Sequence, residues 1–215
     1  RDESRRQRAN GDWFDLEVDA APVRLSDGRT MCLGIVFDIT ERKRVERGRQ
    51  LVTEASVRFN RSLDLDATLR DIVQLPLDGL ADWCCIDLIG EDGALHRVAL
   101  SREEAADDII IPRTLAHSGD YGGVSGAIAF RSPQLLRDID DATLRKLARD
   151  KAHLAALAAM QMRSSISVPL VFGDRVIGAL TIVVRERNFD ELDVSIVTEL
   201  AAHAVTALEN ARLFA

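Results

Sequence analysis

Cysteine is scarce in this sequence, and its spacing carries no metal or disulfide pattern. The 215 residues contain three cysteines, of which Cys84 and Cys85 are adjacent and Cys32 stands alone. Adjacent residues of a strand point to opposite faces, and the chain has no C-x-x-C pair. We therefore expect no metal site and no disulfide framework, and this cysteine usage is typical of a reducing, cytoplasmic compartment.

Long apolar runs and an excess of basic charge are also missing. No run approaches the roughly 18 apolar residues of a membrane span, and no signal peptide is recognisable. The net charge is −7 at pH 7, whereas phosphate binding requires concentrated Lys and Arg. We expect neither a membrane nor a nucleic acid as a partner of this segment. The sequence starts without Met and in mid-pattern, which we interpret as a piece of a longer protein.

The sequence has no recognisable catalytic motif. It contains no P-loop, no G-x-S-x-G elbow, no H-E-x-x-H helix and no dinucleotide fingerprint. The four histidines, at positions 96, 117, 153 and 203, are isolated, and nothing flanking His117 or His153 supports haem ligation. We predict no enzyme activity within these residues and leave the cofactor undefined.

Apolar patterning predicts a mixture of strands and helices around a sizeable core. Hydrophobic residues make up 47% of the chain and charged residues 29%, which is ordinary for a globular protein. Alternation predicts strands over 13–25 and 30–39, and apolar runs around a Gly-Asp turn predict strands over 165–172 and 176–184. The other predicted elements are helices over 41–63, 64–80, 124–130, 140–162 and 190–214, strands over 83–89, 94–100, 108–114 and 135–136, and a loop or strand end over 1–10.

The C-terminal part of the chain carries the motifs of a known family. S-x-x-x-V-P-L and I-G-x-L over 164–180 are followed by F-D-E-x-D and by an Ala-rich helix ending A-L-E-N-A-R-L. These elements resemble the C-terminal half of a GAF domain, a family of small-molecule and redox sensing modules. The resemblance implies an α+β fold for 50–215, with an antiparallel sheet, terminal helices on one face, and loops and short helices on the other. We expect Pro169 where no strand donor is needed, Gly178 at a bend or a close backbone approach, and Asp190 as a helix N-cap.

The N-terminal residues resemble the end of another sensory family. G-D-W-F-D-L-E-V, a hairpin and the closing D-I-T-E-R-K are similar to the C-terminal end of a PAS domain. We interpret residues 1–41 as a PAS fragment with a PAS-type β-hairpin and residues 42–49 as a helical linker. Most of the family's pocket wall is missing, so we carry over no ligand function. A two-stranded hairpin is marginal alone, and we expect it to dock on something or pair with a partner chain.

The GAF resemblance implies a pocket between the sheet and its loop-bearing face. On the strand over 83–89, the wholly apolar set Cys84, Ile86 and Leu88 is expected to face the terminal helices, so Cys85 and Asp87 face the pocket. The alternative is that the polar strand residues are ordinary packed or hydrogen-bonded ones. The candidate residues for binding a small-molecule ligand are Cys85, Asp87, Tyr121, Ser125, Ser165, Ser167 and Thr181.

The first and last helices carry apolar stripes that favour a homodimer. In the first helix, Val45, Val52 and Phe59 recur every seven residues, which is the pattern of a short coiled coil. The last helix is apolar nearly all round, so it must be buried nearly all round. A parallel four-helix bundle of two chains satisfies both, whereas packing of both helices within one chain leaves a monomer. The predicted interface residues are Val45, Val52, Phe59, Val197, Ala204 and Leu208.

Together these features favour a regulatory segment of a cytoplasmic signal-transduction protein. The closing run A-L-E-N-A-R-L-F-A resembles the run into an output domain, which we expect after Ala215. A PAS–GAF segment of this kind is typical of multi-domain sensor histidine kinases and relays small-molecule or redox input through the helical interface. The same segment regulating a nucleotide cyclase or a serine phosphatase is the alternative. A GAF-type methionine sulfoxide reductase is another alternative, but adjacent Cys84 and Cys85 do not supply an attacking and a resolving thiol.

Overall fold

A computed structural model of the chain shows α-helices packed with antiparallel sheets. The chain forms two compact units, an N-terminal unit of residues 1–50 and a C-terminal unit of residues 51–215. The predicted strand over 108–114 lies outside the described residues. The structure describes residues 2–9, 13–101, 122–148 and 150–213.

The N-terminal unit contains a three-stranded antiparallel sheet and the first part of a helix. Its strands are β1 (Asp2–Gln7), β2 (Trp13–Arg24) and β3 (Thr30–Asp38), in the order β1-β2-β3, followed by helix α1 (Thr40–Arg58). The predicted hairpin is the β2–β3 pair. Residues 1–10 were expected to form a loop or the end of a strand, but Asp2–Gln7 form β1. This strand pairs with the edge of β2 that β3 leaves open and satisfies its backbone donors and acceptors.

The D-I-T motif fastens the start of α1 to β2 within this unit. The Asp38 carboxylate accepts hydrogen bonds from the backbone N–H of Thr40 at 3.0 Å and from its hydroxyl at 2.6 Å. The Thr40 hydroxyl oxygen in turn accepts from the N–H of Asp15 at 2.9 Å. Both hydrogen bonds lower the pKa of Asp38, and the bond from the Thr40 hydroxyl has the larger effect. The motif therefore works as a helix start whose cap is tied to the sheet.

The C-terminal unit is a five-stranded antiparallel sheet with helices on both faces. Its strand order is β5-β4-β8-β7-β6. The end of α1 is followed by α2 (Leu65–Gln74), a short 3-10 helix (Leu75–Leu77), β4 (Trp83–Ile89), β5 (Leu95–Leu100), α3 (Gly123–Phe130), β6 (Gln134–Leu136), α4 (Asp141–Leu147), α5 (Lys151–Ala159), β7 (Ser164–Phe172), β8 (Arg175–Val184) and α6 (Glu191–Leu213).

The main core lies between one face of this sheet and the helices α1, α2 and α6. Phe59, Ile86, Leu180, Leu200 and Leu208 are all fully buried in it. Each buried side chain of this size contributes about 2 kcal/mol of transfer free energy. The predicted first helix ends at Arg58, short of the expected position 63, because Asp64 caps α2 by accepting from the N–H of Ala67 at 2.7 Å.

One predicted element is wrong: the long helix over 140–162 is two helices, α4 and α5. Ala148 has an extended backbone that ends α4. Leu144 of α4 and Leu157 of α5 both pack on Trp83 and Val183 in one cluster. In a single straight helix these two leucines would lie about 20 Å apart, since each residue rises 1.5 Å. Breaking the helix lets both leucines reach the same part of the sheet.

Three local predictions are confirmed. Gly178 is needed for close approach, because an added Cβ would collide with the carbonyl oxygen of Asp87 and lie 2.9 Å from the Cα of Leu88. Pro169 lies beyond the part of β7 that pairs with β6, so no partner there requires its missing N–H. Asp190 caps α6 by accepting from the backbone N–H of Leu192 at 3.1 Å and of Asp193 at 3.2 Å.

Candidate functional site

Strand β4 directs its side chains alternately to the two faces of the five-stranded sheet. Cys84, Ile86 and Leu88 lie in the main core with the terminal helices, as the alternation predicts. Cys85 and Asp87 therefore point to the opposite face, which carries α3, α4 and α5. The candidate site is on that face.

The strand register places a line of polar side chains across the middle of this face. Cys85 is opposite Thr181, Thr181 is opposite Ser167, and Ser167 is opposite Gln134. We call these four residues the polar row. The hydroxyl groups of Ser167 and Thr181 are 2.9 Å apart and hydrogen-bonded to each other. Cys85 is 8% exposed and Ser167 1%, so the thiol and this hydroxyl are buried on this face.

Next to the polar row is a buried ion pair that the sequence analysis missed. Arg97 of β5 lies opposite Asp87 and donates from Nε to Oδ1 at 3.0 Å and from a terminal nitrogen to Oδ2 at 3.3 Å. The Asp87 side chain is fully buried and that of Arg97 is 20% exposed. Burial raises the pKa of Asp87, and the Arg97 charge opposes that rise. The predicted turn between β4 and β5 is the sequence feature that could have revealed this ion pair, because the turn sets which residues of the two strands lie opposite each other.

Neither buried cysteine has the character of a reactive thiolate. Burial, followed by the nearby Asp87 charge, raises the pKa of Cys85 to about 12. Burial also raises the pKa of Cys84. The Cys85 thiol lies 4.0 Å from a carboxylate oxygen of Asp87 as a weak donor. Both thiols are therefore protonated at neutral pH, and all three cysteines are free.

Two small apolar clusters flank the polar row on the same face. One consists of Trp83 and Val183 under α4 and α5, and the other of Leu95 and Ala179 under Ile128 of α3. The indole Nε1 of Trp83 is buried and has no hydrogen-bond partner among the described residues. The polar groups thus occupy a strip between two apolar clusters.

The structure brings five of the seven candidate ligand residues together. Cys85, Ser167 and Thr181 belong to the polar row, and Asp87 and Ser165 lie in the neighbouring rows of the same face. Ser125 is half-buried in α3, which packs on β7 and β8. Tyr121 lies outside the described residues. Among the described residues there is no cluster of three or more His, Cys, Asp and Glu that would hold a metal ion.

The residues predicted at a dimer interface divide into two groups. Val45 and Val52 of α1 are partly exposed. The other four have at most 1% of their surface exposed within a single chain, so they have no surface to offer a partner and are corrected to core residues. They are Phe59, Val197, Ala204 and Leu208.

The N-terminal unit has a hollow of its own. Its volume is about 510 Å³, and it lies over one face of the three-stranded sheet. Asp2 and Arg6 place one charge of each sign in its wall, and Leu16, Val18 and Val36 supply apolar surface. No ligand function is predicted for this unit from its sequence.

With the sheet order and the site in view, the family follows from comparison. Residues 62–209 match the profile that describes the GAF domain, which is more than half of the chain. The chain belongs to the GAF domain family. The match begins after α1 and ends within α6, so it covers the five-stranded sheet, the helices α2 to α5 and most of α6. No curated protein matches the chain significantly.

Solved structures with the same fold come from proteins of several kinds. The GAF domain of a phosphoenolpyruvate-protein phosphotransferase from Coxiella burnetii has a TM-score of 0.59 at 16% identity, covering 79% of this chain and 97% of that one. Free methionine-R-sulfoxide reductase from Neisseria meningitidis has a TM-score of 0.58 at 18% identity, covering 80% and 94%. A methyl-accepting chemotaxis protein has a TM-score of 0.56 at 20% identity, covering 74% and 98%. At these identities the likeness establishes the fold alone.

No helix among the described residues combines the length and the apolar character that crossing a bilayer requires.

Proposed function

We propose that this chain is the sensory and regulatory PAS–GAF segment of a cytoplasmic signal-transduction protein whose output is a histidine kinase. The observation that carries the proposal is the polar row together with the buried Asp87–Arg97 pair beside it. Burying hydroxyl groups and charges costs stability that apolar side chains in the same places would not cost. A GAF domain that served only as a connector has no need of them, so their presence supports a role in binding a small molecule.

A binding experiment tests the sensory part of the proposal. Thermal denaturation of the chain is followed with a panel of nucleotides, amino acids, bilins and haem, because a ligand of the folded state raises the melting temperature. Thr181→Val removes a hydroxyl of the polar row at nearly constant shape, and we expect it to weaken the binding of a stabilising ligand at least about tenfold. Thr206→Val, on the exposed side of α6, is the matched control. Equal binding by both variants would place the ligand elsewhere.

The output domain is tested by the sequence that follows Ala215. A phosphoacceptor helix and an ATP-binding domain would support the histidine kinase. A nucleotide cyclase or a serine phosphatase domain would show that the output is not a histidine kinase, and the proposed sensory role would be unaffected. One of the fold neighbours is named a methyl-accepting chemotaxis protein, and we take this name to favour a signalling context.

We propose that residues 1–41 are the C-terminal end of a PAS domain, that 42–49 link it to the GAF domain and that the latter spans 50–215. Three antiparallel strands followed at once by a helix capped through the D-I-T motif support this assignment. All nine residues of β3 are exposed, including Leu33, Val36 and Phe37. Such an apolar edge strand supports the expectation that this unit pairs with or docks on a further segment.

A methionine sulfoxide reductase remains the candidate from another functional class, because the Neisseria enzyme shares the fold. The pKa of Cys85, raised to about 12, counts against a nucleophilic thiolate at this position. We expect no turnover of free methionine sulfoxide with a thiol reductant. Turnover that is lost in Cys85→Ser would establish the reductase in place of the sensor.

A further inference from the structure

The end of β6 and the start of α6 meet at one edge of the five-stranded sheet. β6 is the outermost strand on that side and leads directly into α4. Helices α4 and α5 cover Trp83 and Val183 on the face of the polar row, whereas α6 packs on the opposite face. The junction at this edge is therefore a direct connection between the two layers around the sheet.

Two side chains join the layers by reciprocal hydrogen bonds. The backbone N–H of Asp138 donates to Oδ1 of Asn188 at 3.0 Å, and Nδ2 of Asn188 donates to Oδ1 of Asp138 at 3.0 Å. We call this pair the edge latch. Arg163, just before β7, holds the same Asp138 carboxylate oxygen at 2.6 Å. The carboxylate is thus tied to both neighbouring segments.

Further bonds run parallel to the edge latch. Arg137 donates from Nε to the carbonyl oxygen of Phe189 at 2.9 Å and reaches the Glu191 carboxylate at 3.1 Å. The buried hydroxyl of Ser164 donates to the carbonyl oxygen of Leu136 at 2.6 Å and accepts from the N–H of Phe189 at 3.2 Å. The end of β6 and the residue after it are therefore bonded to the residues that open α6.

The backbone bends at this junction. Asp138 has φ of 48°, in the left-handed region that aspartate adopts more readily than most residues other than glycine. On the other side, Phe189 is 1% exposed in the main core, so the start of α6 is anchored. The turn into α4 keeps its conformation while the edge latch holds it against that anchor.

We propose that the edge latch couples the position of the α4–α5 layer, which lies beside the polar row, to the first turn of α6. A ligand that moves α4 and α5 would then change the order of α6 at its start, without passing through the sheet. The signalling consequence rests on the proposed function, but the coupling itself is a property of this chain and is measured without ligand or output domain.

Hydrogen exchange of the whole chain tests the coupling. Asn188→Ala removes the latch from the α6 side, and we expect amide exchange to become about tenfold faster both in 139–148 and in 191–197, with β4, β7 and β8 unchanged. Asp138→Gly removes the carboxylate that accepts from Asn188 but keeps the backbone N–H that donates to it. It retains the fold, because glycine accepts the left-handed backbone. We expect the same two segments to respond, and the double variant to be no faster than the faster single variant.

Two further variants make the result decisive. Asp138→Asn keeps an acceptor for Asn188 and the backbone N–H. It loses the ion pair with Arg163, but both side chains of that pair are more than half exposed and the pair contributes little, so we expect wild-type exchange in both segments. Asn210→Ala, at an exposed position of α6, controls for the loss of an asparagine from this helix. Faster exchange confined to the substituted segment, additive effects in the double variant, or no change at all would each overturn the proposal. The function proposed above would survive that failure, because ligand binding and output are read separately.

Discussion

Asp87 and Arg97 form a charge pair whose stability depends on both partners. Removing one partner of a buried pair leaves an uncompensated charge. We predict that Arg97→Met lowers the free energy of unfolding by about 3 kcal/mol, measured by urea denaturation at pH 7. In the double variant Asp87→Asn/Arg97→Met no charge remains buried, so more than half of the loss should be recovered. Equal losses in the single and double variants would contradict this account.

The same carboxylate gives a pH dependence with a defined sign. Burial raises the pKa of Asp87 in the folded state above its ordinary value of 3.8. The folded chain then holds this proton more tightly than the unfolded chain, so its contribution to stability is largest below pH 3.8 and falls as pH rises through the raised pKa. We predict that wild type loses stability relative to Asp87→Asn across that window. Parallel pH profiles of urea unfolding would contradict the prediction.

The three thiols should differ in reactivity because thiolate, and not thiol, is the nucleophile. Cys32 is exposed, whereas Cys84 and Cys85 are buried and both have raised pKa values. We predict that iodoacetamide at pH 8 alkylates Cys32 alone in the native chain and all three residues in urea. Peptide mass spectrometry reads the sites directly. Native labelling of Cys85 as fast as Cys32 would show that the strand opens or that its thiol is activated.

At the scale of the elements, the pairing of β4 with β8 depends on the absence of a side chain. Gly178 lies against the Asp87 carbonyl oxygen and the Leu88 backbone, whereas a Cβ at Gly34 of β3 would meet nothing within 4 Å. We predict that Gly178→Ala lowers the free energy of unfolding by about 2 kcal/mol or more, because the strands must separate. Gly34→Ala is the matched control in a strand and should change it little. Thermal or urea unfolding measures both, and similar effects would contradict the prediction.

At the scale of the whole molecule, the predicted homodimer rests on Val45 and Val52 of α1, because the interface residues predicted on α6 are buried within one chain. Val45 and Val52 are the predicted interface residues that keep exposed surface. We predict a dimer in light scattering at tens of micromolar, and its dissociation by Val52→Glu. Val57→Glu introduces the same charge at a site that is 70% exposed and lies off the predicted stripe, so it should leave the dimer intact. A monomeric wild type would remove the proposal.

The GAF assignment, the α+β class and several local features follow from the sequence alone. The alternation of β4, the close approach at Gly178 and the cap at Asp190 are all confirmed. Each depends on neighbouring residues alone: the period of a strand, the size of one side chain, or a carboxylate placed before a helix. Such features are legible before any packing is known.

Tertiary structure decided which surfaces meet. Arg97 became the partner of Asp87 through the strand register, and the helix over 140–162 broke because Leu144 and Leu157 pack on the same part of the sheet. The apolar side chains of α6 that favoured a dimer are covered within one chain, Val197 and Leu208 among them. An apolar stripe predicts only that the helix is buried on that side. It does not predict whether the same chain or a second chain covers it, because the hydrophobic effect is non-directional.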